Sequence, residues 1–151
     1  MISRIEQAIQ KNLCSSSTIG KFPESLRSAI EYSVFPGGAR IRPTILISVA
    51  KACGDDMPEI TDAAGSALEM VHCASLVHDD LPCFDNGDTR RGKPTVHKAY
   101  GESTAVLAGD SLIINAFNCL ASASKYSHTR SANCLLYTSD AADDTPCVDL
   151  G

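Results

Sequence analysis

The sequence has no Trp, and its four Phe and four Tyr make it only 5% aromatic. Its 44% apolar content is therefore mostly aliphatic, and 151 residues are the size of one domain that can bury a sizeable core. Its seven Cys, at 14, 53, 73, 83, 119, 134 and 147, include no CxxC pair, which argues against a zinc site, and their odd number argues against a closed disulfide framework. Most sit inside apolar helical patterns and read as small buried hydrophobes. Long apolar runs are missing as well. No stretch approaches the roughly 20 apolar residues of a membrane span, and Met1-Ile2-Ser3-Arg4-Ile5-Glu6 lacks the apolar core of a signal peptide. The expectation is a cytoplasmic protein with no stable membrane insertion.

Positive charge is not in excess either. Of the eighteen acids behind the net charge of −5, four (Asp140, Asp143, Asp144 and Asp149) lie in the last eighteen residues, which contain no Lys or Arg. Setting those four aside leaves fourteen acids against thirteen Lys and Arg, a near-neutral balance that gives no support for nucleic-acid binding. The tail itself, from Cys134 to Gly151, resembles the translation of a transposase sequencing adapter. Its codons would read TGT CTC TTA TAC ACA TCT GAC GCT GCC GAC, then a variable index, then GTA GAT CTC GGT. Both constant segments fall in one frame, with Thr145 and Pro146 in the index. Residues 134–151 are accordingly expected to be non-native and are set aside, and the gene is expected to have been cut near Asn133.

What is present is helical periodicity. Ile2, Ile5, Ile9 and Leu13 form one apolar stripe over residues 2–13. After the Ser15 to Gly20 break, Pro23 suits a first helical residue, and Leu26, Ile30 and Val34 follow at intervals of four until Pro36-Gly37-Gly38. A third helix is expected from about Arg40 to Cys53, with Pro43 tolerable because it falls in the first turn. A fourth runs from about Pro58 to His78 with a stripe of small residues suited to close packing. A fifth spans about Glu102 to Ala123. No segment alternates as a strand does, so the fold class is all-α, an antiparallel bundle of long helices.

Against this apolar background stands one polar string, Asp79-Asp80-Leu81-Pro82-Cys83-Phe84-Asp85 followed by Asn86-Gly87-Asp88-Thr89-Arg90-Arg91-Gly92. Four carboxylates within ten residues repel one another unless a hard cation holds them, and Mg²⁺ takes oxygen from one or two carboxylates plus substrate phosphate. Arg90 and Arg91 offer planar donors for phosphate oxygens. Asp79 and Asp80 fall at a helix C-terminus, where the dipole disfavours anions, a placement that makes sense if a cation is the neighbour. His72 lies two helical turns before Asp79, on nearly the same face. Pro82 bends the chain so that Asp79 and Asp85 can reach shared metal ions.

The run from Glu69 to Asp110, with this DDxxxxD and RRG combination, resembles the first aspartate-rich region of the trans-prenyl diphosphate synthases, the farnesyl and geranylgeranyl diphosphate synthase family. The segment GGARIRP, Gly37 to Pro43, resembles that family's GGKRxRP. The resemblance implies the isoprenoid synthase fold, here truncated, with residues 1–133 as the N-terminal half of the domain and a homodimer when full length. It implies Mg²⁺ held by Asp79 and Asp85, with Asp80 in support, as the catalytic carboxylates. It implies an allylic diphosphate on Arg90, and isopentenyl diphosphate on Arg91, Arg42 and His72. Mg²⁺ and guanidinium groups would neutralise the departing diphosphate as an allylic cation forms. Ala74 and Ser75, five and four residues before Asp79, occupy positions implied to set product length, and small side chains there favour geranylgeranyl or longer products. His97 and Lys98 are expected to order a loop, and Asp110 to tie the fifth helix to the fourth through a buried hydrogen bond.

One departure stands out. Ala39 occupies the position where the family usually carries Lys, and losing one charge-assisted contact weakens binding by about 1.5–3 kcal/mol. The second aspartate-rich motif of the family is absent, so the chain alone is expected to be inactive. Ala39 also favours an alternative, a non-catalytic homologue that binds and modulates an active synthase. A terpene cyclase is a third reading, which GGARIRP and the RRG segment fit less well.

Overall fold

The computed structural model describes residues 2–14, 22–35, 37–127, 129–130 and 132. The expected non-native tail, 134–151, lies outside the described residues. The helices are α1 (Ile2–Cys14), α2 (Glu24–Val34), α3 (Ile41–Ala52), α4 (Pro58–Asp79), α5 (Val96–Tyr100) and α6 (Glu102–Ser122). The expected bounds hold to within a residue or two, with Pro23 immediately preceding α2 and Pro43 in the first turn of α3. Two features were not read from the sequence. One is the five-residue α5. The other is a two-residue antiparallel ribbon, β1 (Thr89–Arg90) against β2 (Lys93–Pro94), closed by Arg91 and Gly92 at positive φ.

The centre of the bundle is the pair α4 and α6. Cys119 Sγ meets the Ala63 carbonyl, Asn115 Nδ2 meets Met70 Sδ, and His78 Nε2 lies near the Val106 carbonyl, so the two helices run antiparallel. The small stripe of α4 does the work expected of it: Ala67 and Ala74 are buried in the core with Ala105, Ala108 and Ala116 of α6, and Ala63 in a smaller cluster with Cys119. Where His78 crosses α6, Gly109 leaves room for its imidazole, because a Cβ there would collide with the ring. α3 also runs antiparallel to α4, since Arg42 reaches His72 while Pro43 and Ile47 lie over Gly65. α1 packs on α4 in the opposite sense, its contacts advancing along both helices together, with Arg4 bonded to Asp62 and Asn12 to Ser66.

Three expectations need correction. α6 with the turn that follows it, residues 102–125, is long and apolar enough to cross a membrane by length and composition. α4, α2 and α5 pack on part of its apolar surface, where Ala105, Ala108, Leu112, Ala116 and Leu120 are core residues, while Leu107, Ile114 and Phe117 remain exposed. Asp110 is exposed, not buried; it does link α6 to α4, through a 3.6 Å contact with His78 Nε2. Of the cysteines, Cys73 and Cys119 are buried, and burial pushes each thiol up to about 11, but Cys53 and Cys83 are exposed.

Candidate active site

The polar string folds as a cap on the C-terminal end of α4. Past Asp79 the chain turns tightly. Leu81 N–H bonds to the His78 carbonyl, Asp85 N–H to the Asp79 carbonyl at 2.9 Å, and Gly87 N–H to the Asp80 carbonyl. The bend at Pro82 therefore does bring the backbones of Asp79 and Asp85 together. Both residues are exposed, and among the described residues no hydrogen bond or ion pair engages either carboxylate.

Asp80 differs from its neighbours. It is buried and accepts two bonds from Arg90, Nε to Oδ2 at 2.7 Å and Nη2 to Oδ1 at 2.8 Å. Such a fork-to-fork pair fixes the guanidinium plane. Asp80 thus orients Arg90 and so stands apart from the open carboxylates of Asp79 and Asp85. Those two still act on Arg90 through charge, and with the Asp80 bond they hold its pKa above the usual value. The β1–β2 ribbon is what presents Arg90, and Thr95 closes the loop behind it. Thr95 N–H bonds to the Asp88 carbonyl, and Thr95 Oγ1 donates to the Gly87 carbonyl at 2.7 Å. With its proton so used, the hydroxyl accepts from His97 Nδ1 at 3.0 Å. Lys98 pairs with Asp88 at 3.0 Å. His97 and Lys98 therefore hold the loop, as expected.

A second cationic cluster lies earlier on α4. Arg42, on the first turn of α3, donates from Nη1 to His72 Nε2 at 3.2 Å. A guanidinium has no acceptor, so Nε2 must be the bare nitrogen of a neutral imidazole. Burial, then the charge of Arg42, then smaller effects of Arg91 and Arg90, lower the His72 pKa against the opposing pull of Glu69. Arg91 reaches across to the same loop, where a Cβ on Gly38 would come within 2.8 Å of Arg91 Nη2. His72 and Asp79 are seven residues apart on one helix, about 10 Å along its axis. The site thus has two stations: open carboxylates with Arg90 at the end of α4, and Arg42, His72 and Arg91 two turns back. Behind Arg90 and Arg91 a recess of about 450 Å³, counting its open mouth, runs between α2, α4 and the ribbon.

Ala74 and Ser75 part company. Ala74 is fully enclosed in the core, whereas Ser75 is exposed, its Oγ donating to the His72 carbonyl. Among the described residues no group of three or more His, Cys, Asp or Glu is gathered as a metal cage. Two open carboxylates beside a guanidinium nevertheless fit Mg²⁺, which keeps most of its coordination for water and phosphate oxygens.

Sequence reading missed the ion cluster beneath the second station. Arg40 bonds Glu69 at 2.7 Å and Glu6 at 2.8 Å, and both Arg40 and Glu69 are only 2% exposed. The available signal was Glu69 itself, an acid on the apolar face of α4 three residues before His72.

The sequence profile of the polyprenyl synthetase family matches residues 23–145. The geranylgeranyl diphosphate synthase of Rhodobacter capsulatus is 66% identical over 118 residues, which cover 78% of this chain and 40% of that protein. The farnesyl diphosphate synthase of Bacillus subtilis is 49% identical over 104 residues, covering 66% of this chain and 33% of that protein. Among solved structures, an FPP/GFPP synthase from Zymomonas mobilis superposes with a TM-score of 0.72 at 36% identity, over 93% of this chain and 51% of that one. The chain thus spans about 40% of the length of the Rhodobacter relative.

Proposed function

We propose that this chain, which belongs to the polyprenyl synthetase family, forms one wall of the active site of a cytoplasmic, Mg²⁺-dependent prenyl diphosphate synthase that works as a homodimer. The reaction is condensation of isopentenyl diphosphate with an allylic diphosphate. The observation that carries this reading is the division of the site into two anion stations along α4. A single diphosphate needs one station; two stations about 10 Å apart suit a reaction between two diphosphates.

At the first, Asp79 and Asp85 would hold Mg²⁺, which when bound neutralises the allylic diphosphate as it departs. Arg90, its plane fixed by Asp80, shares that anion. At the second, Arg42, His72 and Arg91 hold the other substrate by its diphosphate. Ala39 supplies no cation there, so three groups carry the load. Identity to geranylgeranyl diphosphate synthases and the small residues before Asp79 favour a product of that length. Because Ala74 is enclosed in the core, Ala74→Phe would overpack it, and Ser75→Phe is the substitution that should shorten the product of a longer form.

The test is binding and turnover on the 151-residue chain. With Mg²⁺ present, calorimetry is expected to show isopentenyl and geranyl diphosphate binding, weakened by Asp79→Asn for the allylic substrate and by Arg42→Met for isopentenyl diphosphate. No elongated product is expected. A folded chain that binds neither diphosphate refutes the site assignment, and elongation by this chain refutes its inactivity.

A further inference from the structure

We propose that Arg40 is a positioning residue that sets the isopentenyl station, although its own guanidinium is turned away from it into the core. This inference rests on the reading of Arg42 and His72 as a diphosphate site. Arg40 sits in a left-handed backbone conformation, φ 48° and ψ 39°, at the N-cap of α3. A left-handed backbone is costly for a non-glycine residue, so something must hold it there. Its guanidinium is held by four bonds. Nε donates to Glu6 Oε1, Nη2 to Glu6 Oε2 and the Val34 carbonyl at 2.9 Å, and Nη1 to Glu69 Oε1. Phe35 covers it, with Cζ 5.7 Å from the ring centroid. Gly37 packs on the same guanidinium, where a Cβ would collide.

The result is a pair of parallel rungs between the start of α3 and α4. Arg40 to Glu69 is the buried rung, and Arg42 to His72 is the exposed one. They are two residues apart across the start of α3, Arg40 at its N-cap and Arg42 in its first turn, and three apart on α4. The Arg40 carbonyl is bound too, by Thr44 N–H at 3.1 Å and Thr44 Oγ1 at 2.7 Å, so the first turn of α3 starts from a fixed point. If the buried rung is released, α3 still rests on α4 through Pro43 and Ile47 over Gly65, but among the described residues no hydrogen bond or ion pair beyond those of the Arg40 guanidinium ties residues 37–40, from which α3 starts, to α4. The buried rung can fix register without touching substrate because its Glu69 end is enclosed in the bundle, 2% exposed, where Arg40 joins it to Glu6 of α1.

The experiment measures the His72 imidazole titration by NMR in the 151-residue chain and in Arg40→Lys, Arg40→Met, Arg42→Met and the Arg40→Lys/Arg42→Met pair. Lys cannot bridge Glu6, Glu69 and the Val34 carbonyl together, so it tests the geometry while keeping the charge. Loss of Arg42 from Nε2 removes a depressing charge, so the His72 midpoint should rise in Arg42→Met and, by part of that amount, in both Arg40 variants. The double variant should rise no further than Arg42→Met alone, the signature of a residue acting through another. In parallel, inorganic pyrophosphate with Mg²⁺ should bind about tenfold more weakly to Arg40→Lys.

A folded Arg40→Lys with an unchanged His72 midpoint overturns the proposal, as does an additive double variant. If Arg40→Met does not fold, Arg40→Lys decides. Failure of pyrophosphate to bind the unsubstituted chain would count against the diphosphate reading alone, since the His72 titration still tests the rung.

Discussion

At the scale of single residues the site is a set of groups with unspent bonding capacity. His72 is the most informative, because it is neutral when Arg42 donates to it and yet is proposed to meet an anion. A diphosphate beside Nε2 reverses the sign of its surroundings and favours the imidazolium. The bound state should therefore take up a proton. Pyrophosphate affinity should rise as pH falls toward the free chain's His72 midpoint, which lies below the ordinary imidazole value of about 6.5, and level off once His72 is already protonated in the free chain. Calorimetry in two buffers of different ionisation enthalpy measures the uptake directly; zero uptake through this range places the anion elsewhere. Thr95 makes a second case. It is buried and spends both its proton and a lone pair, on the Gly87 carbonyl and His97 Nδ1. His97 Nε2 has no partner of its own among the described residues, so the Thr95 bond is the imidazole's only recorded one. Thr95→Val keeps the shape and strands two buried groups, at a cost of about 1–3 kcal/mol. Urea unfolding should show this loss, and Thr95→Ser should recover most of it.

At the scale of elements, close helix approach is governed by two glycines with opposite expectations. Gly109 on α6 faces the His78 imidazole so closely that a Cβ would collide with it. Gly65 on α4 faces Pro43, whose Cβ would lie 3.6 Å from an added methyl, an ordinary contact. Gly109→Ala should therefore destabilise by about 1–3 kcal/mol as His78 is forced off its place. Gly65→Ala should be neutral or stabilising by up to about 1 kcal/mol, because alanine is the better helix former. Thermal unfolding of the two variants checks both signs; equal effects would mean the α4–α6 contact is looser than described. Which elements were legible in the sequence follows the same physics. Long periodic stripes such as Ile2, Ile5, Ile9 and Leu13 announce a helix, and Pro43 or Pro58 marks where one can begin. The five residues of α5 carry no period to read, and the ribbon at Arg90 and Lys93 is made by a turn at Arg91 and Gly92, not by strand propensity. Asp79, Asp85, Arg42 and His72 were legible because charged and polar groups in an apolar chain are conspicuous. Arg40 and Glu69 were not, since one arginine in GGARIRP looks like another until burial separates them.

At the scale of the whole molecule, the described chain leaves apolar faces uncovered. Ile41, Ile45 and Val49 follow one another at intervals of four along α3, and each is more than half exposed. Leu107 and Ile114 of α6 are also more than half exposed, with Phe117 beside them. Neither row belongs to the core packed around α4 and α6. Rows of this kind, on helices that also frame the site, are surfaces that stay out of water only by meeting other protein. The isolated 151-residue chain should therefore associate with itself, and sedimentation velocity at roughly 10–100 micromolar should show mass rising with concentration. The two rows can be told apart by charge. Ile45→Glu places an acid in the middle of the α3 row, and Ile114→Glu does so on α6. Both positions are open to solvent, so neither substitution should disturb folding, and each should remove the association its own row sustains. A chain that is monomeric throughout this range, without either substitution, would show that these rows are tolerated in water.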